Sequence, residues 1–358
     1  MPNNIHIVLI CDDNYSMQMG VLIISILKHT LSDETHHFHI VDGGISDLNK
    51  DRLYSLKDIK PFTLEFIDVS DSMTYRKLTE FYKSNTSLKK KYISEIALAK
   101  FIIPEINTNL DKVLYLDCDM FVLGSLVELW NTDLADNYAA VVPDLKLTHS
   151  NKNLKLNFTE EDLYFNSGMI LLNIKKWRED NLIDGVFDSF TYIHKTKQFN
   201  RFIDQDQLNY LLKDNLLILP LKYNLFTKLP VKNEYGVDIR KTCTKEQYKS
   251  QISSYFSCDD LYTAISQPII LHYVTMYKPW NSTDGVGFRN WREYVLNSPW
   301  ADEFVTSILK KIAQIKDIEN YDWYKFSKYN NKDKIKFILK KILHKIKTLK
   351  RISHRFRV

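Results

Sequence analysis

Two carboxylates separated by one residue close an apolar run at Val113-Leu114-Tyr115-Leu116-Asp117-Cys118-Asp119. In an extended chain residues at i and i+2 share a side, so Asp117 and Asp119 are expected to project together. Paired hard oxygen ligands at a strand end suit a divalent cation, and a cation there would neutralise a diphosphate. Two solvated acids at the end of a strand are the plainer alternative. Cys118 between them reads as an apolar filler turned to the opposite face.

Four other clusters carry polar chemistry. The run His6 to Cys11 delivers Asp12-Asp13-Asn14-Tyr15 to a strand end. A base could stack on Tyr15, Asp12 could accept from an imide N–H and Asn14 could reach a ribose, though a polar turn draws on the same residue types. Tyr164-Phe165-Asn166-Ser167-Gly168 is expected to be a tight polar turn feeding an apolar strand from Met169 to Asn173. Gly168 would permit close backbone approach there. Asp204-Gln205-Asp206-Gln207-Leu208-Asn209 precedes the apolar Tyr210-Leu211-Leu212 and fits an acidic helix start. Leu271-His272-Tyr273 and Tyr277-Lys278-Pro279-Trp280 set an imidazole six residues before a lysine. Taken alone, such a histidine is more often structural.

The elements that must position these groups alternate in kind. Strand-like His6 to Cys11, Phe38 to Val41 and Leu64 to Val69 are separated by helical stretches at Met19 to Leu27 and Lys50 to Leu56. This pattern predicts an α/β fold with a largely parallel sheet. Ligands of such sheets sit beyond the carboxyl ends of the strands, where the polar clusters fall.

Composition narrows the class. With 358 residues, 44% apolar, 26% charged and only nine Gly and nine Pro, the chain can bury a large core. Disorder, collagen and a disulfide miniprotein are excluded. Cys11, Cys118, Cys243 and Cys258 are too sparse for a disulfide framework, and a reducing compartment fits them better. Met1 to Ile10 lacks the basic flank of a signal peptide, so none is expected. The longest apolar run, Val21 to Leu27, is broken by Ser25 and falls far short of the ~20 residues of a bilayer span.

Net charge is +5, yet residues 331–358 hold eleven Lys/Arg and one acid, a net +10, which leaves the first 330 residues at −5. Ile335, Ile338, Leu339, Ile342, Leu343, Ile346, Leu349, Ile352 and Phe356 recur in this tail at helical spacing between the cations. It reads as a basic amphipathic helix on an anionic lipid surface, worth about 1 kcal/mol per charge. A helix packed on its own domain, or a nucleic-acid tail, would look alike. Stacking aromatics are nearly absent from it, which weighs against single-stranded nucleic acid.

In their order, the strand ending in Asp12-Asp13-Asn14-Tyr15, then Tyr115-Leu116-Asp117-Cys118-Asp119, Tyr164 to Gly168, Asp204 to Asn209 and His272-Tyr273 to Trp280, the chain resembles glycosyltransferase family 8. Within the family it is most similar to bacterial lipopolysaccharide α-galactosyltransferases and α-glucosyltransferases. Phe38 to Ser46 and Leu129 to Leu134 match as well, and the likeness covers roughly residues 4–295.

The resemblance implies a GT-A fold over residues 1–295; beyond it the chain is read as a helical connector at 296–330 and the basic tail at 331–358. It also implies a UDP-galactose or UDP-glucose donor, Mn(II) or Mg(II), and retention of anomeric configuration. On this basis Asp12, Asn14 and Tyr15 would bind uridine. Asp117 and Asp119 would be the DxD metal ligands, with His272 the third. An imidazole beside carboxylates moves preference from Mg(II) toward Mn(II). Lys278 would meet the diphosphate, and Cys118 lies in the nucleotide-binding stretch. Asn166, Asp204 and Gln205 would hold the donor sugar, and Asp144, after the strand at Val141-Val142, would face the acceptor.

A departing UDP calls for charge neutralisation as the dominant contribution. Gln205 is a poor nucleophile, so we expect same-face attack with a UDP phosphate oxygen taking the acceptor proton. Asp204 as a covalent nucleophile remains the alternative. Closure of residues 224–240 and 272–280 would exclude water.

Two positions depart from the family pattern. Lys100 stands where arginine is usual, keeping the charge but losing the fork, and Thr275 stands where glycine is usual near phosphate. Other readings of the pattern are a haloacid-dehalogenase-like phosphatase, whose nucleophile strand also ends in Asp-x-Asp, and a non-catalytic UDP-sugar binder. A glycosidase pair is excluded, since its carboxylates must flank the sugar on separate elements. His36-His37-x-His39 matches an ordinary strand start, and Trp177 reads as helix packing. The whole describes a cytoplasmic enzyme, peripheral on the inner face of the membrane, whose acceptor is a glycan or glycolipid and not nucleic acid.

Overall fold

Strand β1 (Asn3–Cys11) is fully buried at Ile5, Ile7 and Leu9 because it has neighbours on both sides. The computed structural model describes residues 3–84, 95–144, 163–195, 203–213, 215–227, 255–274, 278–281 and 287–313. Strands β2 (Glu34–Asp42), β3 (Thr63–Ile67) and β4 (Lys112–Leu116) complete the parallel half of the sheet, with Cys11 opposite Asp42 and Ile7 opposite Leu114. The short β5 (Met120–Val122) follows β4 directly. Next come β6 (Ala139–Pro143), β7 (Phe165–Asn173), β8 (Leu216–Ile218), β9 (Leu225–Phe226) and β10 (Ile270–His272).

The main sheet has the order β3-β2-β1-β4-β7-β6-β8, and a small second sheet runs β5-β10-β9. The expected parallel character holds for β3-β2-β1-β4 and for β6 with β8, while β7 runs antiparallel to β4 and β6. The reversal brings the start of β7 to the carboxyl end of β4.

Phe165 to Gly168 therefore form the first four residues of a buried strand, where a tight turn was expected. Their backbone is paired: Phe165 is opposite Pro143, and the Asp117 N–H donates to the Gly168 carbonyl at 2.7 Å. Polar side chains here mark a strand end facing a site, and composition alone does not separate that from a loop.

Helix α1 (Ser16–Lys28) is apolar nearly all round because it is enclosed, with Met19, Val21, Leu22 and Ile23 all fully buried. Ser25 interrupts that run for a reason: its hydroxyl donates to the Leu22 carbonyl at 2.7 Å and accepts the Val122 N–H at 3.0 Å, joining α1 to β5. Helix α2 (Asp47–Ser55) follows β2, and its Asn49 donates to Asp13 at 2.8 Å. Trp177 is fully buried in the helix Ile174–Glu179, its indole N–H donating to the Tyr138 carbonyl at 3.0 Å, as packing requires. The strand histidines join across β1–β3: His6 stacks on His37 at 4.6 Å and bonds His39 at 3.0 Å, while His37 bonds Thr63 at 2.7 Å.

The chain divides into two compact units. One holds Met1–Tyr277 and Gly285–Gly287, and with it both sheets; the other holds Lys278–Asp284 and Phe288–Val358. In the second, the helices Phe288–Leu296 and Ala301–Ala313 bury Trp291 against Phe304, with ring centroids 5.6 Å apart. Among the described residues no helix is long and apolar enough to cross a membrane. The basic tail at 331–358, the connector beyond residue 313, Thr275 and most of residues 224–240 lie outside the described residues.

Candidate active site

The end of β4, the turn into β5 and the end of β10 meet at one point. The Asp117 N–H donates to the Gly168 carbonyl, and the Met120 N–H closes a turn on the Asp117 carbonyl at 3.2 Å. Strand β10 pairs antiparallel with β5, His272 lying opposite Met120, and the Tyr273 N–H donates to the Asp119 carbonyl at 3.1 Å. This ladder carries the His272 Nε2 to 3.1 Å from the Asp119 Oδ1 and 3.9 Å from the Asp117 Oδ2.

One ligand atom from each of Asp117, Asp119 and His272 lies within 4.8 Å of the others. Two carboxylate oxygens and a neutral imidazole nitrogen are a donor set for a divalent transition metal. Gly168 makes room for it, since a Cβ there would come to 2.3 Å from the His272 Cε1 and 2.9 Å from the Asp117 Oδ2. Charge agrees as well. Lys100 lies against Asp117 and Asp204, and Asp119 adds a further carboxylate beside His272, so the cluster is acidic and suits a cation. The residues present fit such an ion.

Lys100 comes from a 3-10 helix, Glu95–Ile102. Its Nζ lies 3.1 Å from the Asp117 Oδ1, 2.6 Å from the Asp204 Oδ2 and 4.9 Å from the centre of the Tyr115 ring. Burial alone would lower its pKa, but the two carboxylates outweigh burial and hold its ammonium above the usual lysine range. Burial likewise pushes Asp204 up, and Lys100 overrides it, keeping that carboxyl below its usual value. Tyr115 donates to the Asp117 Oδ1 at 2.5 Å, which orients the carboxylate from behind.

Asn166, on β7, donates to the Gln205 Oε1 at 2.9 Å, and the Gln205 Nε2 donates to the Asp144 Oδ2 at 3.2 Å. Gln205 and Asp204 open the helix Ile203–Leu212, as the acidic start predicted. Asp144 is buried at the end of β6, behind Gln205. At the end of β1, the Asp12 carboxylate accepts the Asn14 N–H at 3.1 Å and opens a single 3-10 turn. Tyr15 is 40% exposed, and its hydroxyl is pushed up to about 12 by burial and by the charges of Asp119, Cys118, Asp117 and Asp12. The Cys118 thiol points back toward the Ile10 carbonyl, away from the ligand atoms. Lys278 belongs to the second unit, where its Nζ lies 5.9 Å over the Trp280 ring.

The family model for glycosyl transferase family 8 matches residues 6–284. The chain belongs to glycosyl transferase family 8. The general stress protein A of Bacillus subtilis (strain 168) is 27% identical over 299 residues, 82% of this chain and 94% of that protein. A lipopolysaccharide 1,2-glucosyltransferase of Escherichia coli is 28% identical over 303 residues, 84% of this chain and 80% of its own. Among solved structures, the galactosyltransferase LgtC in complex with donor and acceptor sugar analogs superposes with a TM-score of 0.63 at 25% identity, over 82% of this chain and 96% of that one. The GT-A fold expected from the sequence is therefore shown, and this family 8 member is a glycosyltransferase, with a nucleotide-sugar donor and a glycan acceptor implied. The phosphohydrolase reading falls with that membership.

Several residues that organise the site in this transferase have no individual role in the sequence reading, although Tyr164, Asp206 and Asn209 stand within its polar clusters. Asn224 bonds both His272 and Asn166, and Asn209 clamps the Phe165 backbone through its N–H at 2.7 Å and its carbonyl at 2.8 Å. Tyr164 donates to the Asp206 carboxylate at 2.5 Å. Asn224 sits in Lys222-Tyr223-Asn224-Leu225 with nothing around it to set it apart from a loop asparagine.

Proposed function

We propose that this glycosyltransferase moves galactose or glucose from a UDP-hexose to a hydroxyl of a cell-surface glycan, with lipopolysaccharide core as the default acceptor and with retention of configuration. The observation that carries the reading is the convergence of Asp117, Asp119 and His272 beside Lys100, Asp204, Asn166 and Gln205. Asp117, Asp119 and His272 would hold Mn(II), or Mg(II). The imidazole favours Mn(II). Bound there, the cation would neutralise the diphosphate as the bond to the sugar breaks. Support for the acceptor comes from the Escherichia coli relative, named a lipopolysaccharide 1,2-glucosyltransferase.

Asp12, Asn14 and Tyr15 would take the uridine, with Tyr15 partly exposed at the strand end as a stacking surface. Lys278 and Thr275 would meet the diphosphate, Asn166, Asp204 and Gln205 the donor sugar, and Asp144 the acceptor side. The Gln205 Oε1 accepts both the Asn166 amide and the Ser167 N–H at 3.2 Å, so its lone pairs are already engaged. This supports same-face attack, in which a diphosphate oxygen takes the acceptor proton as the bond to UDP breaks. The alternative nucleophile, Asp204, stays ionised but directs its Oδ2 onto Lys100 at 2.6 Å, which lowers its reactivity toward an anomeric carbon.

The basic residues at 331–358 would hold the enzyme to an anionic membrane surface, on the cytoplasmic side. Removing them should release the protein from anionic vesicles while leaving activity on a soluble acceptor intact.

The function itself is tested by following UDP release from a panel of UDP-sugars with Mn(II), Mg(II) or EDTA, comparing the wild type with Asp119→Asn. Metal-dependent release from one UDP-hexose, lost in the variant, is expected. Release from no UDP-sugar, together with no UDP binding, would overturn the reading.

A further inference from the structure

A chain of buried side-chain amides runs from His272 to Asp144, and two backbone N–H groups fix its polarity. The Gly168 N–H donates to the Asn166 side chain at 3.1 Å, so the atom it meets must be the carbonyl oxygen of that amide. The Asn224 amide also approaches this oxygen, at 2.9 Å, and must present its NH2 there. Its other atom is then the carbonyl oxygen, 3.0 Å from the His272 Nδ1. Only a protonated Nδ1 can satisfy that contact. The Ser167 N–H settles the other end in the same way, turning the Gln205 Oε1 inward and its NH2 toward Asp144.

We propose that Asn224 is a positioning residue that keeps a proton on the His272 Nδ1, so that Nε2 is the ring atom turned to Asp117 and Asp119, and couples this side chain to the proposed sugar-holding pair Asn166 and Gln205. Asn224 is fully buried, and Asn166, Gln205 and His272 are each no more than 8% exposed, so water does not compete for these bonds. One amide thus performs two tasks with two atoms: the oxygen orients the histidine, and the NH2 orients Asn166. The inference rests on the proposed roles of His272 as a cation ligand and of Asn166 and Gln205 at the donor sugar, but the tautomer itself depends on neither.

The two atoms are separable by substitution. In Asn224→Asp a carboxylate oxygen still accepts from the His272 Nδ1, but the Asn166 oxygen loses its side-chain donor, keeps only the Gly168 N–H and faces a carboxylate oxygen. In Asn224→Leu both contacts are lost. The tautomer is read from nitrogen chemical shifts of 15N-histidine-labelled protein, metal-free and at mildly alkaline pH, and cation binding from calorimetric titration with Mn(II) alone.

The wild type and Asn224→Asp are expected to show Nδ1–H at His272. Mn(II) affinity in Asn224→Asp should remain close to wild type, while its preference for UDP-hexose over UDP falls. Asn224→Leu should lose Mn(II) affinity by about tenfold or more, as for loss of an outer partner of a ligating histidine. An Nε2–H tautomer in the wild type would overturn the proposal, as would unchanged Mn(II) affinity in a folded Asn224→Leu. If Asn224→Leu fails to fold, the wild-type tautomer and the Asn224→Asp split between metal and sugar decide it. Failure of the wider functional reading would look different: Nδ1–H at His272 with no Mn(II) binding by the wild type.

Discussion

The Nζ of Lys100 lies 2.6 Å from the Oδ2 of Asp204, a contact across 104 residues of sequence that ties the helix ahead of β4 to the helix carrying Gln205. The same nitrogen is 3.1 Å from the Asp117 Oδ1. Lys100 thus bridges two carboxylates that would otherwise repel, Asp117 of the proposed cation site and Asp204, proposed at the donor sugar.

Replacing Lys100 by Met should leave two half-buried carboxylates without their shared cation. Removal of one partner of a buried pair costs about 3–5 kcal/mol, and urea unfolding should show a loss of that order. Because Asp204 and Asp117 retain some exposure, at 18% and 29%, the lower end is expected. A loss within about 0.5 kcal/mol, ordinary for a surface substitution, would show that the pair carries no stability.

Gly168→Ala tests the packing under the proposed cation site. The new methyl would sit 2.3 Å from the His272 Cε1, so the ring must move. We expect Mn(II) affinity to fall by about tenfold or more, in the range seen when an outer partner of a ligand is disturbed. Secondary structure, followed by circular dichroism, should be retained. Unchanged affinity would show that His272 is not a ligand.

How much of this was legible in advance follows from what each residue leaves in the sequence. Asp117 and Asp119 end an apolar run, and that contrast marks a strand end whatever the fold. Asn166 was singled out, but in an expected turn, because burial on β7 depends on partners far along the chain, Pro143 and Asn209. The strands β5, β9 and β10 are two or three residues long, too short to show a period, yet they bring His272 to Asp119. Asn224 left no trace because its role lies in the direction of its two polar atoms, which only the backbone N–H of Gly168 defines.

Asn209 gives a stability prediction of its own. Fully buried, it satisfies both the N–H and the carbonyl of Phe165 and also donates to the Gln205 carbonyl at 2.8 Å. Asn209→Leu should strand those backbone groups, at about 1–3 kcal/mol for each one left unpaired. Chemical denaturation would measure it, and a variant as stable as the wild type would mean that water takes over the bonds.

Acid should weaken the fold through His36. Burial, with smaller contributions from Lys60 and His37, lowers its pKa from 6.5 to about 4. Its Nδ1 lies 3.4 Å from the Thr30 hydroxyl and its Nε2 3.7 Å from the Glu34 carboxylate, which has no hydrogen bond to that nitrogen. Above pH 6.5 folded and unfolded chains are both neutral there. As pH falls toward 4 the unfolded chain takes a proton that the folded one refuses, so stability drops, on the order of 3 kcal/mol for a shift of this size. Denaturation across this window should be flatter in His36→Gln, and equal slopes would contradict the assignment.

The central claim is that Asp117, Asp119 and His272 hold a divalent cation for a nucleotide-sugar donor. Its most direct test is calorimetric titration of UDP into the wild type and Asp119→Asn, with and without Mn(II). UDP binding strengthened by Mn(II) in the wild type and insensitive to it in the variant is the predicted result. Equal UDP affinity with and without Mn(II) in the wild type would contradict the claim.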